Sequence, residues 1–259
     1  MLVNIKRKTH WSELTLSSPP RNILDTEMLG ALIAAVDELA DDAKPLVLRS
    51  EGKHFSTGYP IGDIPAEIFH HDPDVRAGTA FEEMMARFVN YPAPVVAVVQ
   101  GDAYGGAVEL LACADLRIAV EGVRLGLPPV RLGLVYSHTG LRRLIRGFGS
   151  NLVRELLFLG EPIGTERARE AGFFNRVVEP DFLPNALYTM MDSLVSGGPE
   201  AMRGTRRILH LLEENETMSP EMLREIGEIR HQSRGGEEFE QAREAFLKKQ
   251  PSPFGSGAS

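Results

Sequence analysis

Cysteine is almost absent from this sequence: among 259 residues only Cys113 carries a thiol. A single thiol excludes an internal disulfide and a cysteine-rich zinc site, and it is typical of the reducing cytoplasm, where we expect this protein to act. Long hydrophobic runs are also lacking, since no segment approaches the roughly 20 apolar residues of a membrane helix. Lys6, Arg7 and Lys8 lie near the start, but no apolar segment follows them, so no secretory signal is predicted.

Positive charge is also in short supply. The chain has 28 Lys and Arg against 36 Asp and Glu, a formal net charge of -8. This balance disfavours nucleic acid as a partner, because phosphate-binding surfaces need clustered Lys and Arg, although a local basic patch could still bind a phosphorylated small molecule. Neither a P-loop nor a dinucleotide fingerprint is present. His70, His71, Asp72 and Asp74 are the one grouping suggestive of a metal, and their adjacent spacing in a loop is more typical of solvent exposure.

What the sequence does contain is a soluble α/β pattern. Apolar residues make up 43% and charged residues 25%, as in ordinary globular proteins. Strand-like runs at residues 3–6, 13–16, 45–49, 94–99 and 116–120 alternate with helices, one of them capped by Asp25, which predicts a parallel or mixed sheet with crossover helices. Residues 52–65 are predicted to be a loop and 101–106 a turn. After Gly133 the pattern is mostly helical.

Two glycine-rich segments each follow a predicted strand, at residues 54–60 and 101–109. In the second, Gly105 and Gly106 stand at the start of a helix, where free backbone N–H groups and the positive end of the helix dipole point outward. Two such N–H groups from different loops, aimed at one point, would form an oxyanion hole. Taken alone, either segment is more typical of a turn beside a buried helix start.

Several segments together resemble the crotonase (enoyl-CoA hydratase/isomerase) superfamily, over residues 19–254. The most specific are Pro20-Arg-Asn-Ile-Leu24, Phe55-Ser-Thr-Gly58, Val96-Ala-Val-Val-Gln-Gly101, Tyr104-Gly-Gly-Ala-Val-Glu-Leu110, Ala114-Asp-Leu-Arg-Ile-Ala119, Gly160-Glu-Pro-Ile163 and Ala168–Gly172. Any one of them alone is unspecific, and their combination carries the resemblance.

The resemblance implies an α/β fold: a crotonase-like spiral of ββα units over residues 1–195, and a helical C-terminal region, 196–254, that forms trimer contacts. Residues 255–259 are expected to be a disordered tail or linker. Phe239, Phe246 and Leu247 are candidate apolar anchors for a homotrimer or a dimer of trimers.

It also implies an acyl-CoA thioester as substrate, with CoA as part of the substrate and no metal or other cofactor. The family's two oxyanion-hole donors match the N–H groups of Tyr59 and Gly106. The resemblance places CoA near the first glycine-rich segment, at His54, Ser56 and Thr57. Lys248 and Lys249 are candidate contacts to CoA phosphates, or else a solvated helix end.

The sequence departs from the family at the second catalytic position. Hydratases of the superfamily use two glutamates, and the first matches Glu109. Pro129 stands in place of the second, and a proline neither accepts nor donates a proton. The carboxylate pair that activates water is therefore incomplete, and the single base of mitochondrial-type enoyl-CoA isomerases is missing with it.

The next segment, Tyr136-Ser-His-Thr-Gly140, replaces small residues of the family pattern with hydrogen-bonding side chains. With the preceding run from Pro129, and with the bulky Tyr59, it resembles the pocket of methylmalonyl-CoA decarboxylases. One part of that pattern is absent, because Pro128 stands where a hydroxyl residue is expected.

Decarboxylation suits a site without a second glutamate, because loss of CO2 yields the enolate without abstraction of a proton. Tyr136 would orient the carboxylate and His138 would donate a proton. Three alternatives remain open: a non-standard hydratase or isomerase that uses Glu109 with Tyr136 or His138, an enzyme for acyl groups tethered to a carrier protein, and a non-catalytic binding or scaffold subunit. The paired glycines and Glu109 argue against the last.

Overall fold

Two sheets organise the chain in a computed structural model, which describes residues 1–60, 79–132, 136–214, 219–248, 250 and 253–254. The larger sheet has the strand order β1-β2-β3-β5-β7-β10 and the smaller one β4-β6-β8-β9. The β1–β2 and β8–β9 pairs are antiparallel and the other pairs are parallel. The strands are β1 Val3–Arg7, β2 Ser12–Leu16, β3 Leu46–Ser50, β4 His54–Ser56, β5 Val95–Val99, β6 Asp102–Tyr104, β7 Leu116–Val120, β8 Arg124–Gly126, β9 Ile163–Gly164 and β10 Arg176–Val178.

Helices connect and cover these sheets. They are α1 Thr26–Ala40, α2 Ala80–Val89, α3 Gly106–Ala112, α4 His138–Phe148, α5 Ser150–Leu159, α6 Thr165–Glu170, α7 Leu183–Val195, α8 Pro199–Glu214, α9 Pro220–Gly235 and α10 Glu237–Leu247, with 3-10 turns at Pro129–Leu132 and Pro180–Phe182. A strand in the large sheet, a short strand in the small sheet and a helix follow one another, as in β5, β6 and α3. This confirms the spiral of ββα units predicted from the sequence.

The core lies between the large sheet and the helices. All five residues of Val95–Val99 are buried, as expected for a strand covered on both faces. Asp25 caps α1 by accepting a hydrogen bond from the Met28 N–H at 2.9 Å, which confirms that helix start. Cys113 is buried at the end of α3, and burial raises the pKa of its thiol to about 12, so it is an inert core residue.

The segments predicted as a loop, residues 52–65, and as a turn, residues 101–106, each contain a short strand. His54–Ser56 and Asp102–Tyr104 are β4 and β6, not a loop and a turn. Strands of three residues are too short to show a two-residue alternation, so only their pairing with each other reveals them. The mostly helical second half is confirmed, with β9 and β10 as short additions. The division at residue 195 stays a prediction.

Candidate active site

The two glycine-rich segments meet at one edge of the small sheet. Strands β4 and β6 are parallel neighbours, so the residues that follow them emerge side by side. A Cβ atom on Gly58 would lie 2.4 Å from the Tyr104 carbonyl oxygen and 3.0 Å from the Gly106 nitrogen. Gly58 also has a φ of 79°, which favours glycine. Only a glycine at this position lets the two segments approach so closely.

This contact brings together the two predicted oxyanion-hole donors. A Cβ atom on Gly106 would lie 3.6 Å from the Tyr59 nitrogen. Gly106 is the first residue of α3, where a backbone N–H has no partner within the helix. Within the described part of the chain, neither N–H donates a hydrogen bond. Two backbone donors are therefore available to an oxygen atom at the start of α3.

Glu109 lies one turn further along α3, and its side chain is 1% exposed. The Tyr136 hydroxyl donates to Oε2 at 2.7 Å, and Nε of Arg143 donates to Oε1 at 2.8 Å. Gly140 makes room for the tyrosine, because a Cβ there would lie 2.5 Å from the Tyr136 ring. The carboxylate predicted as a general acid or base is thus held by two partners from the segment around α4.

A second carboxylate shares the same cation. Nη2 of Arg143 lies 2.6 Å from Oε2 of Glu82 and 2.7 Å from Oε1 of Glu109. The Thr139 hydroxyl donates to the other oxygen of Glu82 at 3.0 Å. Glu82 comes from α2, which Thr79 caps, and the arginine comes from α4. Two acidic groups and one basic group therefore form a largely buried cluster beside the two predicted oxyanion-hole donors.

Burial dominates the electrostatics of Glu109. It raises the pKa of the carboxyl above its ordinary value, and the neighbouring Glu82 acts in the same direction. The charge of Arg143 and the hydrogen bond from Tyr136 oppose this rise. The two carboxylates raise the pKa of Arg143, so the guanidinium stays charged. A carboxyl group with a raised pKa keeps a protonated fraction at higher pH, as a general acid requires.

The raised pKa predicts how stability depends on pH. Between the unfolded value, 4.5, and the higher folded value, the folded state binds a proton that the unfolded state has lost. The free energy of unfolding should therefore fall as pH rises through this window. Glu109→Gln removes this titration, so its stability relative to the wild type should increase with pH over the same range. Urea denaturation of both proteins from acidic to neutral pH measures this, and a difference that stays constant or moves the other way contradicts it.

The remaining predicted site residues occupy varied places. Ser56 is buried, donates to the Asn22 carbonyl at 2.6 Å and accepts from the Gly58 N–H at 3.0 Å, so its hydroxyl shapes the segment that carries Tyr59. Thr57 is half-buried, and His54 packs edge-on against Tyr104 with 6.4 Å between ring centroids. His54, Ser56 and Thr57 therefore lie in the segment that leads directly to Tyr59, the first predicted donor.

His138 and the lysines lie apart from the buried cluster. His138 begins α4 with an exposed side chain, and among the described residues it has no hydrogen-bond partner. Lys248 is exposed and pairs with Glu244. Lys249, together with His70, His71, Asp72 and Asp74, lies outside the described residues. Pro129 is buried at the start of a 3-10 turn, where its side chain offers no polar group.

Sequence reasoning missed Arg143, Glu82 and Thr139. Their contacts join positions 34, 57 and 61 residues apart in the chain, and no local spacing encodes such pairs. One signal was available: Gly140, Arg143 and Leu144 recur at helical spacing, which puts the arginine on the buried face of α4. A charged residue on a buried face needs a partner, and Glu109 was already a candidate.

Comparisons with known proteins agree with this architecture. The sequence model of the enoyl-CoA hydratase/isomerase family matches residues 7–257. The chain is 29% identical over 239 residues to methylmalonyl-CoA decarboxylase of Escherichia coli K12, covering 90% of this chain and 89% of that protein. It is 27% identical over 201 residues to short-chain-enoyl-CoA hydratase of Clostridium acetobutylicum, 76% of each chain. A crystal structure of enoyl-CoA hydratase from Mycobacterium smegmatis superposes with a TM-score of 0.85 at 25% identity, covering 98% of this chain and 99% of that one.

The chain therefore belongs to the enoyl-CoA hydratase/isomerase family, the crotonase superfamily, and is an enzyme of that family. The resemblance found in the sequence is confirmed, including its likeness to methylmalonyl-CoA decarboxylase. Among the described residues, no helix is long and apolar enough to cross a membrane. The same residues contain no group of three or more His, Cys, Asp or Glu arranged to hold a metal ion.

Proposed function

We propose that this protein acts on an acyl-CoA thioester and decarboxylates a malonyl-type acyl group. The observation that carries the proposal is the buried cluster of Glu109, Tyr136 and Arg143 beside two backbone donors. We also propose that Pro129 stands where a hydratase has its second glutamate. Glu109 is the carboxyl group of this cluster that shares a helix with the Gly106 donor, which suits a reaction that needs one late proton donor. The likeness to a methylmalonyl-CoA decarboxylase supports the same reading.

In the proposed reaction, the thioester oxygen accepts hydrogen bonds from the N–H groups of Tyr59 and Gly106. The bond between Cα and the substrate carboxylate breaks, CO2 leaves, and the electron pair forms an enolate whose negative oxygen lies on those donors. Each donor of this kind is worth about 3 kcal/mol in comparable acyl-transfer sites. The enolate then takes a proton at Cα to give the shortened acyl-CoA.

Glu109 is the proposed source of that proton. Its raised pKa favours the protonated form, and its position on the same helix as Gly106 places it next to the hole. While the carboxylate is ionised, it accepts a hydrogen bond from the Tyr136 hydroxyl. Once protonated, it can itself donate, which frees the tyrosine hydroxyl to orient the substrate carboxylate. His138 is a second candidate donor, from the exposed start of α4.

A non-standard hydratase is the second candidate function, because Glu109 is the residue that matches the family's first catalytic glutamate. It is supported by the likeness to a short-chain-enoyl-CoA hydratase. In that reading Glu109 would activate water or protonate the product, with Tyr136 in place of the second glutamate. An acyl-carrier-tethered substrate is compatible with either chemistry, and a non-catalytic subunit would bind CoA esters without turnover.

Turnover of methylmalonyl-, malonyl- and enoyl-CoA by the wild type, Glu109→Gln and Tyr136→Phe tests the proposal by mass spectrometry. We expect CO2 loss from a malonyl-type thioester, at least about tenfold slower in Tyr136→Phe because the substrate carboxylate loses its orienting hydroxyl. Loss of several orders of magnitude in Glu109→Gln on an enoyl-CoA, with no decarboxylation by the wild type, would establish the hydratase instead. Binding of CoA without any turnover would contradict both reactions.

The other partner assignments remain proposals. We propose that CoA lies along His54 and Thr57, that its phosphates reach Lys248 and Lys249, and that activity requires no added metal or nucleotide. Phe239 on α10 is 40% exposed and is a candidate trimer contact. The side chains of Phe246 and Leu247 lie outside the described residues, so the trimer stays a prediction.

A further inference from the structure

A cavity of about 220 Å3 lies among α3, α4 and α8, on residues that the proposed reaction does not use apart from Arg143. Four arginines line it: Arg117, Arg143, Arg146 and Arg206. Such a concentration of cations is unusual in a chain with a formal net charge of -8. The lining also includes two carboxylate residues, Asp115 and Glu213. Asp115 pairs with Arg206, and Arg143 pairs with Glu82 and Glu109, so Arg117 and Arg146 are the two lining arginines without a side-chain ion pair among the described residues.

Arg206 is fully engaged by the protein. Its Nε donates to Asp115 at 2.8 Å, and its remaining nitrogens donate to the carbonyl oxygens of Phe88, Val89 and Tyr91. Arg206 thereby links α8 to the end of α2 at the edge of the cavity, and its charge balances that of Asp115. Arg206 is therefore a structural member of the lining.

The other three arginines keep unused donors. Arg117 is buried, its Nε donates to the Phe173 carbonyl at 2.6 Å, and Nη1 serves two further carbonyls. No ion pair joins it to a described carboxylate, and Nη2 has no acceptor there. Among the described residues, the Arg146 side chain donates one hydrogen bond, from Nη2 to the Glu213 carbonyl. Arg143 reaches Glu109 and Glu82 there with Nε and Nη2 alone. Four nitrogen atoms therefore have no hydrogen-bond acceptor among the described residues: Nη2 of Arg117, Nε and Nη1 of Arg146, and Nη1 of Arg143.

We propose that this cavity binds a tetrahedral oxyanion, a phosphate or sulfate group, through Arg117, Arg143 and Arg146. Three arginines from a strand and a helix line one space, and charge-assisted hydrogen bonds from several directions suit a tetrahedral oxyanion better than a planar carboxylate. The volume admits a phosphate group with a small organic substituent. A bound oxyanion also supplies the counter-charge that the buried Arg117 lacks in the protein itself.

Calorimetric titration with inorganic phosphate at constant ionic strength tests the site. We expect saturable binding by the wild type, and at least about tenfold weaker binding by Arg146→Gln, because a charged hydrogen-bond donor is lost. Arg142→Gln is the matched control, an exposed arginine on the same helix that does not line the cavity. It should bind phosphate within about twofold of the wild type.

The competing results are distinct. Phosphate held elsewhere, for example by the proposed CoA site, would bind Arg146→Gln as tightly as the wild type and would overturn the assignment. Absence of saturable binding would overturn it as well. Sulfate should bind comparably and acetate more weakly, and acetate binding as tightly as phosphate would contradict a tetrahedral ligand. Arg146→Lys keeps the charge on a folded protein, and intermediate affinity is expected from it because the forked donor is lost.

Discussion

Gly106→Pro is expected to lower kcat by about 10²–10³-fold relative to Gly106→Ala, because it removes one backbone donor from the proposed oxyanion hole. Gly106 is the first residue of α3, a position at which proline is tolerated since its N–H has no helical partner. Proline at position 106 should therefore remove the N–H donor without breaking the helix. Steady-state turnover of the substrate identified for the wild type measures the effect.

Alanine is the matched control at this position. A Cβ atom on Gly106 would lie 2.8 and 2.9 Å from two atoms of the Phe81 ring, so both variants force the ring to move. Only proline also lacks the N–H. Equal activities in the two variants, with both shown to be folded by circular dichroism, would mean that the Gly106 N–H does not stabilise the transition state.

Arg143→Gln is expected to reduce the free energy of unfolding by about 3–5 kcal/mol, since it leaves two buried carboxylates without their cation. The side chains of Glu82 and Glu109 are 11% and 1% exposed, so water compensates little for the loss. Arg142→Gln, which removes an exposed arginine one residue earlier on α4, should cost no more than about 0.5 kcal/mol. Chemical denaturation at neutral pH compares the variants.

A second substitution tests the cause. Adding Glu109→Gln to Arg143→Gln removes one of the stranded charges, so the double variant should be more stable than Arg143→Gln alone. If the free energy of unfolding of the double variant falls by the sum of the two single effects, the two residues are not energetically coupled. The buried ion pair would then contribute no interaction energy of its own. The same pair of variants shows whether Arg143 acts on Glu109. Removing the positive charge of Arg143 should raise the pKa of Glu109, so the limb of the pH–rate profile that depends on Glu109 should move to higher pH.

Much of the fold was readable because it rests on local patterns. Two elements could be predicted from a few neighbouring residues each: the continuous apolar run that forms the strand Val95–Val99, and the helix start that Asp25 caps. The short strands β4 and β6 were not readable, since three residues show no periodicity and exist as strands only through their pairing. The predicted oxyanion-hole pair came from the family resemblance, because the glycines alone favoured a plain turn.

The sequence by itself determined the family, the alternation of strands and helices and the two glycine-rich segments, and it predicted that Pro129 stands in place of a second glutamate. Tertiary structure alone decided that Glu109 is buried, that Arg143 bridges it to Glu82, and that His138 faces solvent while Tyr136 reaches the carboxylate. The reason is physical: a residue type and its helical face are local properties, whereas ion-pair partners and solvent access depend on which distant segments the fold packs together.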